Sequence, residues 1–119
     1  MRRVGVLTVS DRGAAGEYED KSGPLAAELL AAAGWPVERY AVIPDDFDTI
    51  VAALREWCDA GLELVLTTGG TGFAPRDVTP EATRAVIERD APGMAEALRA
   101  ESLKVTRHAM LSRAIAGLR

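Results

Sequence analysis

Leu62–Glu63–Leu64–Val65–Leu66–Thr67–Thr68–Gly69–Gly70–Thr71–Gly72 runs from an apolar segment straight into a glycine-rich turn, and Arg76–Asp77–Val78–Thr79–Pro80 follows shortly after. The apolar part reads as a strand. The glycines read as a turn where the backbone reaches φ > 0 and a ligand approaches without meeting a Cβ. Thr79 and Pro80 read as N-cap and first position of a helix, because proline fits where no intrahelical N–H bond is needed. Strand, glycine turn, charged pair and helix start together suit an anionic ligand. A plain strand-to-helix connection fits the glycines equally well.

Working outward, two more strand–helix units precede this one. Val4–Val9 is a β-branched, nearly continuous apolar run, as expected of a parallel strand covered on both faces. Residues 13–23 are polar with three glycines and read as a loop. Ser22 or Gly23 then caps a helix whose apolar stripe is Leu25, Leu29, Leu30 and Ala33, with Gly34 as its stop. Val37–Ile43 is a second strand closed by Pro44, and Asp45–Asp46 opens a helix with Ile50, Val51, Leu54, Trp57 and Cys58 on one face. Beyond Pro80 the helix is expected to run to about residue 89. After a break at Ala91–Pro92–Gly93, Met94, Ala97 and Leu98 recur at helical spacing, and residues 105–116 read as a final short helix.

This alternation predicts a single α/β domain over residues 1–119: a three-layer α-β-α, doubly wound, mostly parallel sheet with right-handed crossovers. Ligands in such sheets sit beyond the carboxyl ends of the strands. The first strand delivers Ser10, Asp11 and Arg12 to that rim, the second Pro44, Asp45 and Asp46, and the third the glycine turn.

Composition narrows the function classes. Apolar residues make up 48%, charged residues 27% and the formal charge is −4 with scattered lysine and arginine, which argues against a general nucleic-acid binder. A single cysteine, Cys58, excludes an internal disulfide and a cysteine-built metal site, and reads as a buried structural thiol. Met1–Arg2–Arg3 leads directly into a short strand rather than a signal peptide, and no run reaches membrane-spanning length, so a cytoplasmic protein with no membrane partner is expected. A P-loop would need a lysine after the glycines, and a dinucleotide fingerprint a glycine where Pro75 stands.

Val9–Ser10–Asp11–Arg12, Asp20–Lys21–Ser22–Gly23, Ile43–Pro44–Asp45, the glycine turn, Arg76–Asp77–Val78–Thr79–Pro80–Glu81–Ala82 and Met110–Leu111–Ser112–Arg113 occur in one order along the chain. In this the chain resembles the MogA/MoaB family of molybdenum-cofactor biosynthesis, whose fold the gephyrin G domain shares. The resemblance implies a homotrimeric molybdopterin-binding domain. In MogA-like members it implies adenylylation of molybdopterin by MgATP, giving adenylyl-molybdopterin and pyrophosphate, with hand-over to a molybdenum-inserting protein. The loop before Asp20 is more similar to MogA than to MoaB. The resemblance makes Asp45 and Asp77 the functional aspartates and tentative Mg²⁺ ligands. It points to Ser10, Asp11, Arg12, Lys21, Thr68, Gly69, Gly70, Thr71, Gly72, Arg76, Thr79 and Ser112 for substrate and phosphate. The family pattern continues past the position of Arg119 with a strand, a Leu–Pro–Gly loop and a helix. A C-terminally short domain, with that strand–loop–helix absent and turnover in question, is therefore expected; a non-catalytic molybdopterin-binding or oligomerisation module is the alternative.

Each residue also has a structural reading. Asp45 or Asp46 caps the helix that follows; Asp77 stabilises a helix start through the macrodipole; Ser22 and Thr79 are caps. Arg76 is a solvated loop cation. Ser112 caps or packs, His108 stands alone, and Trp35 and Trp57 belong to the core or a subunit contact.

Overall fold

The computed structural model describes residues 2–119. Its centre is β1 (Val4–Val9), flanked by parallel neighbours β2 (Val37–Ile43) and β3 (Leu64–Thr68) in the order β2-β1-β3. Val6 of β1 lies level with Tyr40 on one side and Leu66 on the other. All six β1 residues are buried, which is why its sequence lacks polar alternation. The chain turns one way from β1 to reach β2 through α2 (Ser22–Ala32), then recrosses to β3 through α3 (Phe47–Asp59). Right-handed crossovers in opposite directions place these two helices on opposite faces, as a doubly wound sheet requires.

Alternation along β1 separates the two faces. Leu7 and Val9 join Ile50, Val51, Leu54, Trp57 and Leu62 in one apolar core, completed by Ala82 and Val86 of α4 (Thr79–Val86). Gly5 lies on this face because a Cβ there would stand 2.6 Å from the Leu62 side chain and 2.8 Å from the Trp57 ring. Leu7 and Ile50 are fully buried, each worth about 1.5–3 kcal/mol. Cys58 is half-buried, and burial pushes its thiol pKa up, in keeping with an inert residue.

The opposite face is closed differently. The expected leucine stripe of α2 packs only in part: Leu30 is half-buried, whereas Leu25 and Leu29 are 55% and 62% exposed. Gly23 is instead the buried residue of this helix, and a Cβ on it would press on Asp20, Thr8 and Tyr40. The helix start comes so close that its first turn, rather than Leu25 or Leu29, is the part buried most deeply.

Local structure departs from expectation in four other places. The 13–23 loop is preceded by one helical turn, α1 (Asp11–Ala14), capped by Ser10 Oγ accepting from the Gly13 amide at 3.1 Å. Helix α4 stops at Val86, and Arg89–Asp90 forms a short strand, β4, antiparallel to β5 (Gly117–Leu118). In α5 (Pro92–Leu103) Ala95 is buried, whereas Met94 and Leu98 are exposed. Residues 105–116 are a 3-10 turn, Arg107–Leu111, followed by extended chain. The extended part pairs with distant partners: the Arg113 amide donates to Thr71 O and Ala116 O accepts from the Ala91 amide, each at 2.9 Å. Among the described residues no helix is long and apolar enough to cross a membrane.

Candidate functional site

The ends of β1 and β2 are tied by a reciprocal pair. The Asp11 amide donates to Asp45 Oδ2 and the Asp45 amide donates to Asp11 Oδ1, both at 2.9 Å. Arg76, arriving from the segment after the glycine turn, grips the same Asp11 carboxylate with Nε at 2.6 Å and Nη2 at 2.9 Å. That guanidinium holds the Asp11 carboxyl below its usual range; burial opposes the effect. Asp46, not Asp45, caps α3, accepting from the Thr49 amide at 3.0 Å. Asp45 is thereby left at the rim. Burial pushes its carboxyl up, the Asp11 amide opposes this, and the negative charges of Asp11 and Asp77 push it further. Arg76 works against that rise, but its fork is directed at Asp11.

The glycine turn fits tightly against this pair. Gly69 has φ +90° and a Cβ there would overlap the Val9 carbonyl, so the turn lies directly on the end of β1. Gly70 has φ +70°; a Cβ would overlap Thr79 Oγ1 and stand 3.1 Å from Asp45 Oδ1. Both conformations and both clearances call for glycine. Thr79 is not the helix cap: Val78 holds that position, and the Thr79 amide donates to Gly70 O at 3.1 Å. Its hydroxyl faces inward, is buried, and has no hydrogen-bond partner among the described residues. A buried hydroxyl left unpaired is costly unless something else completes it. Asp77 sits beside Gly72 and accepts from the Ala74 amide at 3.0 Å.

These features bear on a divalent cation. Among the described residues no group of three or more His, Cys, Asp or Glu is arranged to hold a metal. A closed, all-protein site is therefore not built. Mg²⁺ commonly takes one or two carboxylates and completes its shell with water and phosphate. Asp45 and Asp77 both border the glycine turn, beside Gly70 and Gly72, and fit that pattern.

The remaining expected residues fall in three places. Ser10, Asp11, Arg12 and Asp45 line one cleft of about 490 Å³ together with Tyr18, whose hydroxyl lies 3.1 Å from Ser10 Oγ and whose ring lies 5.7 Å from the Arg12 guanidinium. Arg12 also pairs with Glu17 at 3.6 Å, and Lys21 is exposed. Thr68 Oγ1 meets Ser22 Oγ at 2.9 Å, so Ser22 bridges to the third strand; it does not cap α2, whose N-cap position is Lys21. Ser112 lines a separate cleft of about 370 Å³ against α5, and its Oγ accepts from the Ala114 amide at 3.3 Å. The structure does not bring Ser112 to the Asp11–Asp45 cleft. His108 is exposed, Trp57 is core, and Trp35 stacks under Arg2 at 4.5 Å.

Sequence reasoning gave no role to the residue that organises the second face. Asp20 accepts from Tyr40 Oη, from Thr8 Oγ1 at 2.7 Å, and from Ser22 Oγ and the Gly23 amide at 3.3 Å. Burial alone would raise its carboxyl; the hydroxyls and the amide outweigh that and hold it below the usual range. An aspartate shortly before Ser–Gly–Pro was the available signal, as a side chain that bonds nearby amides at a helix start. Arg113, which binds the glycine turn from 41 residues away, belongs to the Met110–Arg113 piece of the family pattern, but nothing local in that piece pointed to its partners.

The chain matches the family model described as "Probable molybdopterin binding domain" over residues 5–118. It is 45% identical to a Helicobacter pylori molybdopterin adenylyltransferase over 119 residues, covering 98% of this chain and 68% of that protein. It is 43% identical to the Drosophila melanogaster molybdenum cofactor synthesis protein cinnamon over 96% of this chain, but spans only 19% of that relative. Among solved structures it is similar to the molybdopterin biosynthesis enzyme MoaB of Thermus thermophilus, with a TM-score of 0.93 at 49% identity, covering all of this chain and 76% of that one. A match to nearly every residue, together with the doubly wound fold and the glycine turn on β1, places this chain in the molybdopterin-binding domain family that includes MogA and MoaB.

Proposed function

We propose that this domain binds molybdopterin and adenylylates it with MgATP, releasing pyrophosphate, and that it works as a homotrimer passing its product to a molybdenum-inserting protein. One observation carries the reading: a glycine turn that no side chain fits lies between two rim carboxylates and a buried hydroxyl with no partner among the described residues. Relatives named molybdopterin adenylyltransferase at 43–45% identity support the reaction.

In this reaction an oxygen of the pterin's terminal phosphate attacks the α-phosphorus of ATP, and the bond to the β-phosphate oxygen breaks. The nucleophile is already anionic, so the protein needs alignment and charge neutralisation rather than a strong base. Amides of the turn are the donors for phosphate oxygens. Asp45 and Asp77 are the residues that would hold Mg²⁺, which when bound supplies positive charge for the phosphates. Asp11 and Arg76 act on each other and keep Asp45 in place, while Arg12, which lines the cleft, is the cation for the substrate phosphates and Lys21 a further candidate.

Incubating the protein with molybdopterin and MgATP should yield adenylylated pterin and equimolar pyrophosphate. Binding without product would reduce the reading to a molybdopterin-binding module. Asp77→Asn should lower turnover by about 100-fold or more with pterin affinity nearly unchanged, as expected when charge stabilisation is lost in the transition state. Equal losses in both would count against its proposed role.

A further inference from the structure

Arg113 does not line the rim cleft, yet it binds the glycine turn and the start of α4 together. Its amide donates to Thr71 O at 2.9 Å, its Nε to Gly72 O at 2.7 Å and its Nη2 to Asp77 O at 2.7 Å. Nη1 and Nη2 also reach the two Glu81 carboxylate oxygens, at 2.6 and 3.3 Å. Three carbonyls on either side of the Phe73–Arg76 segment are thus drawn to one residue far along the chain.

A trans peptide points its C=O and the next N–H in opposite directions. Fixing the carbonyls of Thr71, Gly72 and Asp77 on Arg113 therefore turns the amides of Gly72, Phe73 and Val78 away from it. A turn that receives phosphate must offer N–H groups and keep carbonyl oxygens out of the way. The planar guanidinium suits this task, because its donors leave in fixed directions toward two carbonyls and a carboxylate at once. Glu81, in the first turn of α4, holds that plane in position.

We infer that Arg113 is a positioning residue for phosphate binding: it sets the peptide groups of the glycine turn so that amides, not carbonyls, meet the phosphate oxygens of the substrates. The inference rests on the function proposed above, but it is read on a simpler ligand.

The experiment compares the wild-type chain with Arg113→Ala and Arg113→Lys, measuring inorganic pyrophosphate binding by calorimetry and kcat and KM for ATP with molybdopterin. Arg113→Ala should weaken pyrophosphate binding and raise the KM for ATP by about 10–100-fold, with a smaller change in kcat. Lysine should not restore the loss, since it lacks the fork. Added methylguanidinium should recover part of the binding in the alanine variant. Unchanged pyrophosphate affinity in a folded alanine variant, full restoration by lysine, or no recovery with methylguanidinium would overturn the inference. Should Arg113→Ala fail to fold, Glu81→Gln should shift pyrophosphate affinity in the same direction by less, and an unchanged affinity there would overturn it equally. A wild-type chain that binds pyrophosphate but forms no adenylylated pterin would sink the adenylylation reading alone. One that does not bind pyrophosphate would sink the inference.

Discussion

The two faces of β1 are closed by different physics. On one, Leu7 and Val9 meet α3 and α4 through carbon packing, with Gly5 making room for Trp57 and Leu62. On the other, Val4 and Val6 are fully buried as well, but at the rim end Thr8 meets α2 through the Asp20–Tyr40–Ser22 hydrogen-bond set, with Gly23 making room, while Leu25 and Leu29 of that helix face outward. Carbon packing is non-directional and strong, and it fixes where the strands lie. The polar closure contributes less net free energy but is directional. Through Ser22 and Thr68 it reaches the strand end that carries the glycine turn. One face secures the sheet and the other aims the rim.

Substitutions on the two faces should separate accordingly. Leu7→Ala, at a fully buried position, is expected to cost about 2–5 kcal/mol in urea unfolding. A cost near zero would deny that the α3 face carries the stability. Gly23→Ala is the matching insult to the polar face. Its Cβ would stand 2.6 Å from the Tyr40 ring, so α2 must move outward, at about 1–3 kcal/mol. A tolerated alanine with an intact Asp20 network, seen by NMR, would contradict the close approach.

Tyr40→Phe is the mildest change. It removes one hydroxyl from Asp20, for about 1 kcal/mol, and leaves Thr8 and the Gly23 amide in place. It also tests the pH behaviour. Burial and the neighbouring Asp20 push the Tyr40 hydroxyl from an ordinary 10.0 up to about 12. A folded value above the unfolded one stabilises fully below pH 10 and is lost as pH rises toward 12. The wild type should therefore lose stability across that alkaline interval and Tyr40→Phe should lose less. Parallel curves would remove Tyr40 from the account.

How much was legible in the sequence follows from the same contrast. The strands, the α3 stripe and the glycine turn were readable because apolar periodicity and φ > 0 are local properties of a few neighbouring residues. The α2 stripe misled at Leu25 and Leu29 for the same reason: leucines have helical spacing whether or not a sheet lies beneath them. At the site, the clustering of Asp11, Asp45 and the turn followed from strand order alone. Ser112 was expected with them because of its place in a motif, and its Oγ instead bonds the Ala114 amide beside α5.

The sequence by itself determined three parallel strands, the rim at their carboxyl ends and a glycine-rich turn after the third. Strand character, crossover handedness and backbone sterics are encoded within short stretches of chain. Only the tertiary structure decided which carboxylate is held by Arg76, that the Thr79 hydroxyl turns inward with no partner among the described residues, and that Arg113 holds the glycine turn. Those are contacts between residues tens of positions apart. Their partners are chosen by where the packed sheet brings each atom, and no periodicity in the chain records that choice.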